Sequence, residues 1–268
     1  MQLLPSPDLS GLVKHYLIIE NQADGKLLHR FFADGHPGLV FSYADPLREY
    51  DNRLSASTLP NSFVYGQVNR YHTLISGQRL GLLIVVLHPW GLYTLSGIPG
   101  NELTNLQIDC TDVFGRASNQ LQEQVLTSAD TSNRISHIET FLRKRRHDSL
   151  RELTTVEAAV QLIQQTNGNA TIQTLTSTLS LTERSLERKF DKVIGIAPKQ
   201  FSRIIRLQSC LKTHRQQPTL SLTELAYASG YYDQAHFIRE FTRLVGLTPS
   251  QYDTNQQRLA VNLMPLTA

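Results

Sequence analysis

The chain has 268 residues, more than the roughly 100 to 200 of a usual single domain, so two domains are expected. Its 26 lysines and arginines nearly balance 23 acids. No apolar run approaches the roughly 20 residues that span a bilayer, and no basic segment with a long apolar core opens the chain, which argues against a membrane span or a secretory signal and for a cytoplasmic location. Cys110 and Cys210 are too few for a disulfide framework and read as small buried hydrophobes in a reducing compartment.

The first hundred residues read as β structure. Strands are expected at Gly11 to Glu20, Leu27 to Phe32, Leu39 to Tyr43, Ser62 to Ile75 and Leu80 to Leu87, separated by clusters such as Asp34-Gly35-His36-Pro37-Gly38. A small barrel or sandwich follows from that spacing. Beyond a glycine- and proline-rich passage the pattern turns helical, with Asn119 to Leu126 and Asn133 to Arg146, the latter carrying Ile135, Ile138, Phe141 and Leu142 on one stripe. The run Arg143-Lys144-Arg145-Arg146-His147 ends that helix and reads as a solvated basic linker at a domain boundary. A capping box at Thr154 and Glu157 then opens a further helix, and Gly168 is placed to close it.

Charge divides with the domains. Residues 1 to 150 hold 13 basic and 14 acidic groups, whereas 171 to 252 hold 11 and 6. That modest basic excess permits nucleic-acid binding. The same segment states one pattern twice, since an offset of 51 residues superimposes Arg188 on Arg239, Phe190 on Phe241, Gly195 on Gly246, Pro198 on Pro249 and Gln200 on Gln251. One supersecondary unit built twice is the reading. In the second copy, a capping box at Ser221 and Glu224 starts a short helix, Gly230 turns the chain, and Asp233 caps a second helix, which is a helix-turn-helix pattern. The first copy has Thr176 and Ser180 where the second has Ala226 and Gly230, so its signature is weaker.

At about 100° per residue, Leu186, Phe190 and Val193 share one helix face while Arg184, Arg188 and Asp191 lie opposite, flanked by Ser185 and Glu187. In the second copy Phe237, Phe241 and Leu244 face in; Ala235, Arg239 and Thr242 face out, with His236 alongside and Gln234 at the start. Arginine can donate two hydrogen bonds to guanine, glutamine can pair with adenine and glutamate can accept from cytosine, so these faces suit a major groove. The plain alternative is a solvated charge, or a pair between Arg184 and Glu183 or Glu187. Between the copies, Pro198 to Gln216 reads as one long helix that would place both recognition helices in successive major grooves about 34 Å apart.

The stretch from about Glu152 to Tyr252, above all Ser221 to Tyr252, resembles the AraC/XylS family of bacterial transcription regulators. The resemblance implies two helix-turn-helix units joined by a linker helix, and base-contacting sites at Arg184, Ser185, Glu187 and Arg188 in the first motif and Gln234, Ala235, His236 and Arg239 in the second. Ala235 departs from it, having no side-chain hydrogen bond to offer a base. The front half resembles the cupin-like sensor domains that precede such DNA-binding domains, through His88-Pro89-Trp90-Gly91, Asn101-Glu102-Leu103 and Asp112-Val113-Phe114-Gly115.

The implied architecture is α+β, with a β-rich effector-binding or dimerisation domain at 1–148, an all-α DNA-binding domain at 149–256 and a tail at 257–268. Implied partners are duplex DNA, RNA polymerase, a small effector and a second copy of the chain, with no cofactor. The cupin metal shell is missing, and His29, His36, His72 and His88 sit on separate segments, so structural or surface roles are expected for them. Two alternatives stay open for the front half, an enzyme or a module for protein interaction, although no nucleophile elbow, P-loop or zinc-protease motif appears. Tyr43, Tyr65, Tyr71, Phe41 and Trp90 could line a pocket but read more simply as core.

Overall fold

The computed structural model describes residues 1–50, 56–146, 151–254, 259 and 262–266. Its front half is a sandwich of two antiparallel sheets that do not close into a barrel. One sheet contains β1 (Gln2–Leu3), β2 (Val13–Gln22), β4 (Gly38–Ser42), β7 (Ser62–Tyr65), β9 (Arg79–Leu87) and β10 (Gln107–Asp109), in the order β1-β2-β9-β4-β7-β10. The other contains β3 (Leu27–Phe31), β5 (Arg48–Tyr50), β6 (Ala56–Thr58), β8 (His72–Ser76) and β11 (Leu263–Pro265), in the order β11-β3-β8-β5-β6.

Side chains alternate across a strand, and the larger sheet is buried on both faces, so its central strands are apolar at nearly every position. Leu39, Phe41, Leu83 and Val85 point outward onto α3 (Cys110–Phe114), α4 (Ala117–Thr127) and α5 (Thr131–Arg145), in a cluster with Phe114, Leu121 and Leu142. Val40, Phe63, Tyr65 and Leu82 point into the sandwich. The continuous run expected from Ser62 to Ile75 is in fact two strands in different sheets. Between them the chain crosses the sandwich, and Asn69 is tied by its amide and its side chain to Asn105 at 2.9 Å. An apolar run carries no mark of such a corner.

The basic run at the end of α5 is not a solvated linker. Arg143 bonds the Asp8 carboxylate at 2.7 Å and Glu139 at 3.1 Å, Arg145 donates to the Phe114 carbonyl, and Arg146 donates to the Asp8 carbonyl at 2.9 Å. Arg143 and Arg146 strap the first residues of the chain onto α5, and Arg145 ties α5 to the end of α3; His147 lies outside the described residues.

The second half is helical: α6 (Arg151–Gln165), α7 (Ile172–Leu179), α8 (Glu183–Val193), α9 (Pro198–Gln216), α10 (Leu222–Ala228), α11 (Gln234–Val245) and α12 (Pro249–Thr254). The helix α6 starts before Thr154, which therefore lies inside it and is not its cap. Elsewhere the caps are as the sequence indicates: Ser221 and Glu224 form a full capping box, and the Asp233 side chain accepts from the amide of His236. In the first motif Thr176 replaces a small alanine by turning its hydroxyl back onto the Ile172 carbonyl at 3.0 Å. Ser180 takes the left-handed conformation, φ 53°, that Gly230 adopts in the second.

The two halves share one buried core, which runs from the interior of the sandwich through Val160, Phe190 and Ile204 to Phe241. The joint lies between α8 and two short helices of the front half, α1 (Gly91–Ser96) and α2 (Gly100–Leu103). The Thr104 hydroxyl donates to the Gly195 carbonyl at 2.7 Å, the Asn101 amide donates to Asp191 at 2.8 Å, and Gly195 and Gly100 meet backbone to backbone. A Cβ on Gly195 would lie 2.4 Å from the Gly100 carbonyl, and the residue has φ +97°, so glycine is required twice over. Gly195→Ala is expected to cost roughly 1 to 3 kcal/mol, read as a lower urea midpoint by the fluorescence of Trp90, the one tryptophan. An unchanged midpoint would mean that the joint gives way without strain.

Candidate nucleic-acid interface and interdomain cavity

Two surfaces hold the chemistry of this molecule. The first is made by the outer faces of α8 and α11. Each helix buries one apolar stripe, Leu186, Phe190 and Val193 or Phe237, Phe241 and Leu244, and so must turn the opposite side outward. Arg184, Glu187, Arg188, Gln234, Ala235 and Arg239 are exposed, while Ser185 and His236 are half-buried.

Among the described residues no hydrogen bond or ion pair engages the side chains of Arg184, Glu187, Arg188 or Arg239, so the expected alternative of a pair between Arg184 and Glu183 or Glu187 is absent. Gln234 is partly committed, its carbonyl accepting from the Thr223 hydroxyl at 2.9 Å. His236 stands 3.9 Å from the buried Glu240, which Arg203 of α9 approaches to 3.5 Å.

The linker helix α9 is one uninterrupted helix of 19 residues, about 28 Å long at 1.5 Å per residue. Two of its arginines, Arg203 and Arg206, act within the protein. Arg206 donates to the Gly168 carbonyl at 3.1 Å and lies 5.5 Å from the Tyr231 ring, so it ties the approach to the first motif to the turn of the second. The arginines of this half thus include outward ones on α8 and α11 and two inward ones on α9.

The second feature is a cavity of about 570 Å³ between the sheets of the sandwich and the helical half. Phe31, Phe63, Leu74, Leu82 and Ile84 supply much of its wall, Ile205 and Gln208 of α9 close it on one side, and Leu259, Asn262 and Leu263 complete it. Gln208 also donates to the Ala33 carbonyl at 2.7 Å, fixing α9 to the front half.

One corner of the cavity is polar. Lys14 Nζ lies 2.7 Å from His36 Nε2, and His36 Nδ1 lies 2.9 Å from the Leu87 carbonyl. A carbonyl only accepts, so the His36 proton sits on Nδ1 and Nε2 receives a hydrogen from the lysine. Burial holds His36 neutral, well below the usual imidazole range, and lowers Lys14, while the nearby Asp34 charge supports it. Asp34 in turn is pushed up to about 6 by burial, against the pull of Lys14. Lys14 spends one of its three donors on His36 and is exposed at the cavity.

These polar residues carry no motif, and sequence reasoning placed none of them in a pocket. Of the five aromatics considered, Tyr65 lines the cavity. Phe41 points to the opposite face of its strand, Tyr43 stacks on Arg134 with 4.0 Å between them, Trp90 stacks on His88, and Tyr71 carries Arg30 over its ring at 4.2 Å. The other histidines are spoken for locally: His29 by Ser76 at 2.8 Å, His72 by Glu49 at 2.5 Å, His88 by the Ser10 carbonyl at 3.0 Å. No group of three metal-binding side chains occurs among the described residues, and no helix there is long and apolar enough to cross a membrane.

A β sandwich joined to two helix-turn-helix units on one spacer helix defines the class of fold. The helix-turn-helix domain family matches residues 175–255, and a domain of unknown function matches residues 1–109. An uncharacterized helix-turn-helix type transcriptional regulator of Haemophilus influenzae is 30% identical over 95 residues, which are 35% of this chain and 32% of the relative. The match thus spans about a third of that protein's length. Among solved structures, ToxT from Vibrio cholerae superimposes with a TM-score of 0.52 at 10% identity, covering 88% of this chain and 96% of ToxT. ToxT bound to an unsaturated fatty acid gives 0.50 at 11% identity, with 88% and 93% covered. Residues 175–255 thus carry a helix-turn-helix domain, and the chain shares its overall fold with ToxT.

Two outcomes follow. Arg188→Ala is expected to lose roughly 1 to 3 kcal/mol of binding on a specific duplex and far less on random DNA, by titration at several salt concentrations; equal loss on both would make Arg188 a phosphate contact. The second concerns pH. Burial holds His15 and His29 near 4 and lowers His36 and His88, against 6.5 in the unfolded chain. Between those values the unfolded chain binds more protons, so these groups make stability rise with pH over that window. Asp34, near 6 against 3.8, acts in the opposite sense over nearly the same window. Four groups outweigh one, so the urea midpoint should rise from about pH 4.5 to 7 and rise more steeply in Asp34→Asn. A flat or falling profile would contradict this.

Proposed function

We propose that the chain is a sequence-specific transcriptional regulator that reads duplex DNA with α8 and α11 and is controlled by a small apolar carboxylate held in the interdomain cavity. The observation that carries the DNA half is the repeated outward face, where Arg184, Glu187, Arg188 and Arg239 have no partner for their side chains among the described residues. Unpaired guanidinium groups on two helices at the ends of one linker are donors for base edges and phosphates. The sites Arg184, Ser185, Glu187, Arg188, Gln234, Ala235, His236 and Arg239 are therefore assigned to DNA contact. The first helix presents three charged groups and is the richer reader, whereas Ala235 and the tethered Gln234 leave the second with fewer free hydrogen bonds.

The effector half rests on the polar corner of the cavity. An apolar wall with one lysine, two of whose donors remain for a ligand, fits a molecule with a hydrocarbon body and an anionic end. ToxT, which shares the fold, has been solved with an unsaturated fatty acid, a ligand of that class.

Selection of duplexes from a random pool by the full chain tests the DNA reading; enrichment of a two-part site about one helical turn between halves is expected. For the cavity, calorimetry with a long-chain monounsaturated fatty acid should show binding that Lys14→Met weakens about tenfold or more, with DNA selection unchanged. Equal affinity in both proteins would remove Lys14 from the site.

A further inference from the structure

We propose that β11, the strand that follows α12, is a strap through which the cavity is coupled to the second recognition helix. This rests on the reading of the cavity as the effector site and adds to it the route of regulation. Although it comes after the DNA-binding helices in sequence, the strap belongs to the sensor. Leu263 pairs with Phe31 of β3 in register, and both side chains line the cavity together with Asn262. The Phe32 amide donates to the Asn262 carbonyl at 3.0 Å and the Leu266 amide to the Leu28 carbonyl at 2.7 Å.

Two contacts lead from β3 to α11. Phe32, the next residue after the strand, meets the Tyr252 ring of α12 at 6.3 Å, Tyr252 meets Phe241 of α11 at 5.4 Å, and Phe241 meets Phe237 at 5.6 Å. On the other side Arg30 lies over Tyr71, and Tyr71 presses on Gly246 at the end of α11. The helix is thus held at its core and at its C-terminal cap by one edge of the smaller sheet. That edge exists as a paired edge only while β11 is in place.

A three-residue edge strand is a low-cost opening unit compared with the sandwich behind it. A ligand that fills the cavity touches Leu263 and Asn262 only when the strand is paired, so occupancy favours the paired state. In that state α11 is fixed to the front half, as α8 is through Gly195, and α2 holds the exposed Asn101 against Asp191 at the edge of the α8 reading face. A carboxylate at that edge opposes the phosphate backbone. With β11 paired, α11 is tethered to the front half as well and the two reading helices are less free to settle into two grooves, so the paired strap is the state of lower DNA affinity.

The test is a disulfide across the strap in the full chain, Leu28→Cys with Leu266→Cys. These residues sit opposite one another on the face away from Leu263 and the cavity, and Leu28 is exposed. The native Cys110 and Cys210 are buried, with thiols pushed up to about 12 and about 11 by burial, so they stay out of the exchange. On the duplex selected as above, the oxidised protein should bind roughly 5- to 50-fold more weakly than the reduced one, the usual span of a coupling between sites. A long-chain monounsaturated fatty acid should weaken the reduced protein and leave the oxidised one unchanged. A chain ending at residue 258, its folding checked by circular dichroism, should bind DNA at least as well as the intact chain and ignore the fatty acid.

Equal DNA affinity of the oxidised and reduced proteins overturns the strap, even where the fatty acid binds and acts. If the fatty acid does not bind but oxidation still weakens DNA binding, the strap stands and the identity of the effector falls.

Discussion

The structure depends on the packing of α9. One side of this helix, through Phe201, Ile204, Leu207 and Leu211, is core for both helix-turn-helix units. Another, through Ile205 and Gln208, is wall for the cavity and anchor for the front half. A helix is stiff over this length, so whatever fixes its position relative to the sandwich fixes both reading faces at once. The two functions attributed to this chain, reading DNA and sensing a small molecule, therefore meet on adjacent faces of a single rod.

The arginines divide along the same lines. Arg203 and Arg206 on α9 and the arginines at the end of α5 are engaged by carbonyls, carboxylates and rings, while those at the repeated positions of α8 and α11 have only solvent to face among the described residues. Net charge does not distinguish the two sets. What does is whether an acceptor lies within reach, and a charge left unpaired on a helix face is a statement about an absent partner. The polar corner of the cavity follows the same rule in reverse, since Lys14, His36 and Asp34 meet one another but leave donors over.

Much of the helical half could be read in the sequence because its signals are local. Ser221 with Glu224, Asp233, Gly230 and the repeated apolar stripe each act within one turn or one motif, and the structure places them accordingly. Thr154 misled because a box-like pair also occurs inside a helix that starts earlier. The front half was legible as strands, but not in its corners, nor in which sheet each strand joins. Those depend on contacts between distant segments, such as Asn69 with Asn105. The cavity was invisible for the same reason: Lys14 comes from one segment and Asp34 and His36 from another, and three residues of its wall arrive from beyond the last helix.

That last feature bears on how such proteins can be recombined. A front half whose smaller sheet ends in a strand encoded after the helix-turn-helix units is not a cassette delimited by a boundary near residue 148. Exchanging the front half for that of a relative would set a foreign β3 edge against this chain's Leu263–Pro265, and the mismatch would fall on the cavity wall. The sandwich and β11 therefore form one structural unit interrupted by the helical half, and grafts or evolutionary shuffles that preserve its smaller sheet must carry both ends together.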